Sequence, residues 1–262
     1  MAAVVPLLLM MLTLAAAGPT AAQESTEPPV PKSSPVRPVV AEELPRAGGI
    51  MVFGGTQGLG LEVVKHLVAR HERVTVVARA TSDTTALKAL EVSLVAGDAL
   101  DPESLKQAFT TAPFRAVIST LGGRKGDYRV DVEGNKNVVD AAKNAGVTRL
   151  ILVTAIGAGD SGDATPWYIR WFMTDYMAAK TQAEDYLRAT DLDYTIVRPG
   201  LLLNSTKSGE TALVAGTSRF SGITRTDLGA LVAASVEDKS TFKRAFTALD
   251  IKRNSLWSVL TY

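Results

Sequence analysis

The chain has 262 residues and nearly balanced charges, with 28 Lys and Arg against 27 Asp and Glu. No basic stripe or tail stands out, which argues against nucleic acid as a partner. The sequence contains no Cys, so disulfides, thiolate metal sites and Cys nucleophiles are excluded. His66 and His71 are predicted five apart in one helix, on different faces, and this spacing argues against a metal pair.

Residues 1–22 carry no charged side chain, and Leu7 to Ala17 is almost entirely Leu, Met and Ala. This pattern is typical of a signal peptide, with a small-residue cleavage site at Thr20-Ala21-Ala22. The span is short for a bilayer-crossing helix, which needs about 20 apolar residues. We predict a cleaved signal and export to a periplasm, an organelle lumen or the outside. A retained anchor that tethers the protein to a membrane is the alternative.

Residues 23–47 hold six prolines mixed with Glu, Ser and Lys. Because proline lacks the backbone donor and blocks helices, this segment is predicted to be an extended, disordered linker. The remaining residues, 48–262, are enough for one domain with a large core.

Apolar runs and amphipathic stretches alternate through this domain. The predicted strands are Ile50–Phe53, Val74–Ala78, Val92–Ala96, Ala116–Ser119, Leu150–Val153, Tyr194–Val197 and Ala245–Leu249. The predicted helices are Leu61–Arg70, one opening at Asp101-Pro102, Val132–Ala145, Asp175–Ala189 and Thr226–Val236. This alternation predicts an α/β fold: a Rossmann-type, doubly wound parallel sheet with helices on both faces. The strands are apolar runs, as expected for strands buried on both sides, and ligands of such sheets bind at the carboxyl ends of strands.

A glycine-rich loop follows the first strand and opens a helix. Its residues are Gly54, Gly55, Thr56, Gln57, Gly58, Leu59 and Gly60. Glycine allows a sharp turn and a close backbone approach to a pyrophosphate, while the helix presents free N–H groups to the phosphates. The alternative is a turn needed only for strand–helix packing.

The ends of the second and third strands carry charged residues. Arg79 stands where an NAD-specific site usually places an acid, and a guanidinium can pair with a 2′-phosphate. We therefore favour NADP(H) over NAD(H). Asp98, followed by Ala99, is interpreted as an acceptor for the adenine amino group, with a turn or cap role as the alternative.

Small residues follow the fourth strand, at Ser119, Thr120 and Leu121. They would let the nicotinamide ribose lie against the backbone, although a purely structural turn competes with this interpretation. After the sixth strand, Pro199 removes a donor and Gly200 frees the turn, so the chain is predicted to leave the sheet and cross the pocket mouth. Pro199 is included among the cofactor-binding positions.

Three residues form a candidate catalytic group. Tyr176 and Lys180 are one helical turn apart, so an ammonium can lie beside the phenol and is expected to lower its pKa. Such a Tyr can exchange a proton with a carbonyl or hydroxyl during hydride transfer. Thr154 is predicted to hold the same oxygen. The alternative for Tyr176 is a half-buried packing role.

The run from Trp167 to Met173 is unusually aromatic for a chain with 6% aromatic residues. It has three interpretations: a lining or lid for a planar or apolar substrate, a helix packed on the core, or a membrane contact.

Taken together, these residues resemble the short-chain dehydrogenase/reductase superfamily, and most closely its atypical branch of NmrA-like, NAD(P)H-binding and flavin-reductase-like proteins. The resemblance covers Gly48 to about Asp250. It is carried by the stretches 52–60, 97–101, 134–142, 153–159 and 193–200, and by Lys180 with Ala183-Glu184.

The resemblance implies pyrophosphate glycines at Gly54, Gly58 and Gly60, and a catalytic trio of Thr154, Tyr176 and Lys180. Thr154 stands where the superfamily commonly has Ser. Two functional hypotheses follow. One is an NADP(H)-dependent oxidoreductase that reduces a carbonyl, quinone or flavin-like substrate. The other is an NADP(H)-binding sensor or assembly protein without turnover, since many atypical members lose the tyrosine.

Overall fold

The computed structural model describes residues 48–123, 126–205, 207–216 and 220–251. The predicted signal peptide at 1–22 and the predicted linker at 23–47 lie outside the described residues. The described residues all fall within one compact unit. Within those ranges, no helix combines the length and the hydropathy that crossing a bilayer requires.

Strands and helices alternate along the first part of the chain, as predicted. The strands are β1 Gly49–Phe53, β2 Val74–Ala78, β3 Val92–Ala96, β4 Phe114–Ser119, β5 Arg149–Val153, β6 Asp193–Pro199, β7 Leu201–Leu203, β8 Thr211–Ala215, β9 Gly222–Thr224 and β10 Arg244–Asp250. The helices are α1 Gly58–Ala69, α2 Pro102–Phe109, α3 Asn135–Asn144, α4 Trp167–Phe172, α5 Thr174–Arg188 and α6 Arg225–Ala234. The predicted cap of α2 is confirmed: Asp101 directly precedes Pro102, and its carboxylate accepts from the Glu103 and Ser104 amides.

Eight strands form one sheet in the order β3-β2-β1-β4-β5-β6-β10-β8. All neighbouring pairs are parallel except β10 with β8, which is antiparallel. The chain runs outward from β1 to β3 and then returns to β4 on the other side of β1. This reversal leaves a crevice at the carboxyl ends of β1 and β4, where doubly wound sheets bind their ligands. The predicted Rossmann-type fold is confirmed.

The core has two layers, one on each face of the sheet. Within β1, Ile50 and Val52 join an apolar cluster with α1 and α6, whereas Met51 and Phe53 join a second cluster with α2, α3 and α5. Successive side chains of a strand point to opposite faces, so a strand with helices on both faces must be apolar throughout.

Four sequence-based expectations need correction. The strand β3 is not buried on both sides, as the 47% exposure of Leu94 shows. The reason is that β3 lies at the edge of the sheet. The short strands β7, β8 and β9 were not predicted. The third helix starts at Asn135, not Val132, since a π-helical turn occupies Val130–Gly134. His71 lies beyond the end of α1, with a left-handed φ of 59° that closes the turn into β2.

A buried arginine joins β5 to the carboxyl end of α6. Arg149 donates to the carbonyls of Ser235 and Val236, the two residues that directly follow α6. It also donates to the Asp193 carbonyl at 2.6 Å and the Thr195 hydroxyl at 2.7 Å. Burial lowers the pKa of Arg149 to about 9. At neutral pH the guanidinium therefore stays charged and provides charge-assisted donors to elements distant in sequence.

We expect Arg149→Met to lower the free energy of unfolding by about 3 kcal/mol, because it leaves several buried acceptors without donors. Urea unfolding followed by circular dichroism measures this loss. Arg244→Met is the matched control, because Arg244 is exposed, and its free energy of unfolding should change by less than about 0.5 kcal/mol. An Arg149→Met midpoint equal to that of wild type would contradict the expectation.

Candidate functional site

The glycine loop joins β1 to α1 through a very close backbone contact. A Cβ on Gly60 would overlap the carbonyl oxygen of Gly54 and lie 2.6 Å from Thr120 Oγ1. Gly54 and Gly58 have φ values of 77° and 55°, in the left-handed region that glycine tolerates. Gly60 therefore allows the start of α1 to lie against the ends of β1 and β4.

The amino end of α1 is free to bind an anion. Gln57, the N-cap residue, has extended backbone and makes no capping hydrogen bond through its side chain. The first turn of α1, which the structure describes completely, carries no acidic side chain. Unsatisfied N–H groups and the positive end of the helix dipole are a ready site for phosphate.

A cleft of about 660 Å³ lies along the carboxyl ends of β1 to β4. This volume is within the range of small-molecule sites, which is about 300–1,000 Å³. The lining residues are Phe53, Gly54, Thr56, Gln57, Val77, Arg79, Thr81, Ser82, Gly97, Asp98, Ala99, Thr120, Leu121, Gly122, Gly123, Asp127 and Val130. Eight of the predicted cofactor-binding residues are among them. They are Gly54, Thr56, Gln57, Arg79, Asp98, Ala99, Thr120 and Leu121.

The two charged residues predicted at one end of the cleft have different surroundings. Arg79 is exposed and lines the cleft beside Thr81 and Ser82, so its guanidinium can reach a phosphate there. Asp98 lines the cleft as well, but its Oδ1 accepts from the Leu100 amide at 2.9 Å. Asp98 therefore stabilises a turn, which was the alternative that the sequence left open, and it also lines the cleft.

The other predicted cofactor-binding residues do not line the cleft, and four of them are wholly or partly buried. Gly55 is buried against Val76, and Leu59 packs on the core beneath the loop. Ser119 is buried and donates to Asn135 Oδ1 at 2.6 Å. Pro199 is buried at the end of β6, where its carbonyl accepts from the Ile156 amide at 2.9 Å.

Lys180 lies at the other end of the cleft, behind the loop that follows β4. Its Nζ pairs with Asp131 Oδ1 at 2.7 Å and donates to the Leu121 carbonyl at 2.8 Å. Asp131 Oδ2 accepts from the Gly123 amide at 2.7 Å. Lysine and aspartate are only 3% and 0% exposed, so this is a buried ion pair. Sequence reasoning missed Asp131, which belongs to the unpredicted π-helical turn.

Tyr176 is next to this pair, as predicted, but the expected effect on its acidity is wrong. The Lys180 Nζ lies 5.7 Å from the centre of the Tyr176 ring, and the Tyr128 ring lies 5.9 Å away. Burial, the negative charge of Asp131 and the neighbouring Tyr128 raise the pKa of Tyr176 to about 12. Because Asp131 compensates the ammonium, the lysine does not lower the pKa of the phenol.

Thr154 belongs to a different buried network. Its hydroxyl donates to Glu184 Oε1 at 2.7 Å, and the same carboxylate binds the Arg198 guanidinium at 3.0 and 2.6 Å. Both charged residues are buried. Glu184 is four residues after Lys180 and so shares its helix face, which is the sequence signal that could have indicated it. The structure therefore brings Tyr176 and Lys180 together and assigns the Thr154 proton to Glu184.

The aromatic run forms the short helix α4, and packing on the core is the wrong interpretation. Trp167 is 79% exposed, Trp171 71% and Phe172 75%, and none of the six residues of α4 is buried. The residues of α4 are also not among those that line the cleft. A lid over a bound substrate and a membrane contact both remain predictions for this helix.

The sequence profile of a family described as NAD(P)H-binding matches residues 54–239, which is more than half of the chain. This chain belongs to the NAD(P)H-binding family. The resemblance to atypical, NmrA-like short-chain dehydrogenase/reductase proteins is thereby confirmed.

The proteins to which this chain is similar include a reductase and an assembly factor. A structure of ChuY, described as an anaerobilin reductase of Escherichia coli O157:H7, has a TM-score of 0.69 and 26% identity, with 79% of this chain and 99% of ChuY covered. An uncharacterized chloroplastic protein of Arabidopsis thaliana is 29% identical over 78% of this chain and 77% of its own length. Photosystem II assembly factor Ycf39 of Cyanophora paradoxa is 29% identical over 57% of this chain, which spans 44% of that factor.

We expect Gly60→Ala to weaken NADPH binding by about tenfold or more, because the added methyl must displace the Gly54 carbonyl and reshape the loop. A fluorescence titration with NADPH measures the change. Gly146→Ala is the control: Gly146 has a φ of 73°, but a Cβ there meets no heavy atom within 4 Å. The Gly146→Ala substitution should lower the free energy of unfolding and leave NADPH affinity unchanged. Wild-type affinity in Gly60→Ala would show that the loop does not form the cofactor site.

Proposed function

We propose that this protein is an NADPH-dependent reductase that acts on a carbonyl, quinone or flavin-like acceptor. The observation that carries the proposal is the placement of two groups at opposite ends of one cleft. The glycine loop and Arg79 lie at one end, and the Tyr176–Lys180 pair lies behind the other. The likeness to ChuY, described as an anaerobilin reductase, supports reduction as the reaction class.

The residues of the cleft fit a dinucleotide with an additional phosphate. The first turn of α1 and the loop at Gly54 to Gly58 would hold the pyrophosphate, and Arg79 would hold the 2′-phosphate. The bound nicotinamide would supply a hydride, which carries two electrons and one proton, to the acceptor. The strap Gly122-Gly123, which has no side chains, would allow the ribose to lie close to the backbone in front of Lys180.

Tyr176 would provide the proton that reduction requires. With a pKa of about 12, its phenol remains protonated through neutral and mildly alkaline pH. A protonated group can donate, whereas oxidation of an alcohol would require phenolate as a base. Donation is available below the pKa of the phenol and is lost as the pH rises through it. At neutral pH Tyr176 is therefore in the protonated form that donation to a reduced substrate requires.

We expect Arg79→Ala to weaken NADPH binding about 10- to 100-fold while NADH binding is unchanged, because only NADPH carries the 2′-phosphate. Parallel titrations of the same protein with both nucleotides measure this difference. Arg73→Ala is the matched control: Arg73 is also exposed, but it precedes β2 at the opposite edge of the sheet. Equal losses for NADPH in both variants would mean that Arg79 acts only through net charge.

We expect Tyr176→Phe to lower kcat for reduction about 10²- to 10⁴-fold without a change in NADPH affinity, since it removes the proton donor and keeps the ring. Steady-state oxidation of NADPH with a panel of aldehydes and quinones measures the effect. Tyr186→Phe is the control on the same helix, because the Tyr186 hydroxyl is exposed and bonded to Asp140. Undiminished reduction in Tyr176→Phe would remove the acid role. Flavin-type acceptors can take their proton from solvent and are assayed separately.

A second candidate function is an NADP(H)-binding sensor or assembly protein without turnover. The supporting observation is that Lys180 is already paired with Asp131 and that the Thr154 proton is already donated to Glu184. The relationship to the assembly factor Ycf39 points the same way. Steady NADPH oxidation with any quinone, aldehyde or flavin would exclude this function. Tight NADPH binding without oxidation of any of them would favour it.

A further inference from the structure

Asp131 is a fully buried carboxylate whose two oxygens bind different parts of the candidate site. Oδ1 pairs with Lys180 of α5, and Oδ2 accepts from the Gly123 amide of the loop after β4. The backbone of Asp131 is also fixed, because its carbonyl oxygen accepts from Asn135 Nδ2 at 2.9 Å. One side chain therefore links α5, the π-helical turn and the strap that lines the cleft.

The ion pair lies directly behind this strap. A Cβ added to Gly122 would be 3.8 Å from both Asp131 Oδ1 and Lys180 Nζ. Gly122 and Gly123 both line the cleft. Because burying two charges costs desolvation energy, a buried ion pair is a weak source of stability and is better explained by what it positions. Here the ion pair positions the Lys180 ammonium directly behind Gly122, which lines the cleft.

The same pair determines which charges Tyr176 experiences. Among the described residues, the titratable groups that face its ring are Lys180 from α5, Asp131 from the π-helical turn, and Tyr128 from the segment before that turn. The ammonium favours the phenolate, and the carboxylate disfavours it. With both present, the local charges balance, and burial then favours the neutral phenol.

We propose that Asp131 is a positioning residue of this site: it fixes Lys180 behind the glycine strap and balances its charge, so that Tyr176 stays a neutral proton donor. The donor role rests on the proposed reductase function, whereas the charge balance is a property of the chain alone. During reduction the O–H bond of Tyr176 breaks, and its proton passes to the substrate, which has gained a hydride (two electrons with one proton) from NADPH. The phenolate then recovers a proton from water.

The test is the ionisation of Tyr176 in Asp131→Asn, without cofactor or substrate. The full chain is labelled with ¹³Cζ-tyrosine, and its NMR spectrum is followed up to roughly pH 10.5. The Tyr176 resonance is identified by its loss in Tyr176→Phe. In wild type it should remain that of a phenol. In Asp131→Asn the uncompensated ammonium should lower the pKa by about 1 or more, so the resonance should move toward phenolate.

Glu133→Gln is the matched control, because Glu133 lies in the same turn and is exposed. It removes one negative charge from the turn and should leave the Tyr176 resonance unchanged. If Asp131→Asn does not fold, Lys180→Gln is compared with the Asp131→Asn/Lys180→Gln double variant. There the neutral Asn–Gln pair should lower the pKa of Tyr176 relative to Lys180→Gln alone.

A folded Asp131→Asn protein whose Tyr176 resonance follows that of wild type would overturn the proposal. A merely structural role would lower stability without moving this resonance. The reductase function is assayed separately, by NADPH oxidation in wild type. A shifted Tyr176 resonance with no NADPH oxidation would uphold the charge balance and overturn the reductase function. If the resonance shifts and wild type also oxidises NADPH, the rate of NADPH oxidation by Asp131→Asn should begin to fall at a lower pH than that of wild type.

Discussion

The close contact of Gly60 with the Gly54 carbonyl is the constraint on which the carboxyl edge of the sheet depends. It allows α1 to begin directly at the end of β1, with Thr120 of the β4 end packed against the same point. The amides of the first turn then face the cleft because nothing larger than hydrogen separates helix and strand. The loop after β4 continues from Thr120 to Gly122 and Gly123, where it passes in front of Lys180. Loop, helix dipole and ammonium thus belong to one edge.

Buried charges connect this edge to the rest of the fold, and the partner of each charge determines its effect. Arg149 is satisfied by carbonyls and hydroxyls, so it holds a helix end and two strands together. Arg198 is satisfied by Glu184, which also takes the Thr154 proton. Lys180 is satisfied by Asp131, and this pair lies next to the phenol of Tyr176. A charge that is already compensated changes the acidity of its neighbours little, so the ammonium does not offset the burial that raises the pKa of Tyr176.

The order of the elements could be predicted because each buried strand is a short apolar run, and each amphipathic helix repeats its apolar positions every three or four residues. The strand ends followed from that order, which is why the glycine loop and Arg79 could be assigned to one cleft. The strands β7, β8 and β9 were missed, since strands of only three to five residues carry little periodicity. The exposure of α4 was left open, because aromatic composition alone does not distinguish a core helix from an exposed one.

By itself, the sequence determined the Rossmann-type fold, the NAD(P)H-binding family and the residues that meet at the carboxyl edge. These depend on local patterns, which a linear chain displays directly. Only the tertiary structure decided which charge compensates which. Asp131 and Lys180 are 49 residues apart, and nothing local to either residue indicates the other. The acidity of Tyr176 depends on its burial and on its distances to Lys180 and Asp131. These are set only when α5, the π-helical turn and the β4 loop have packed together.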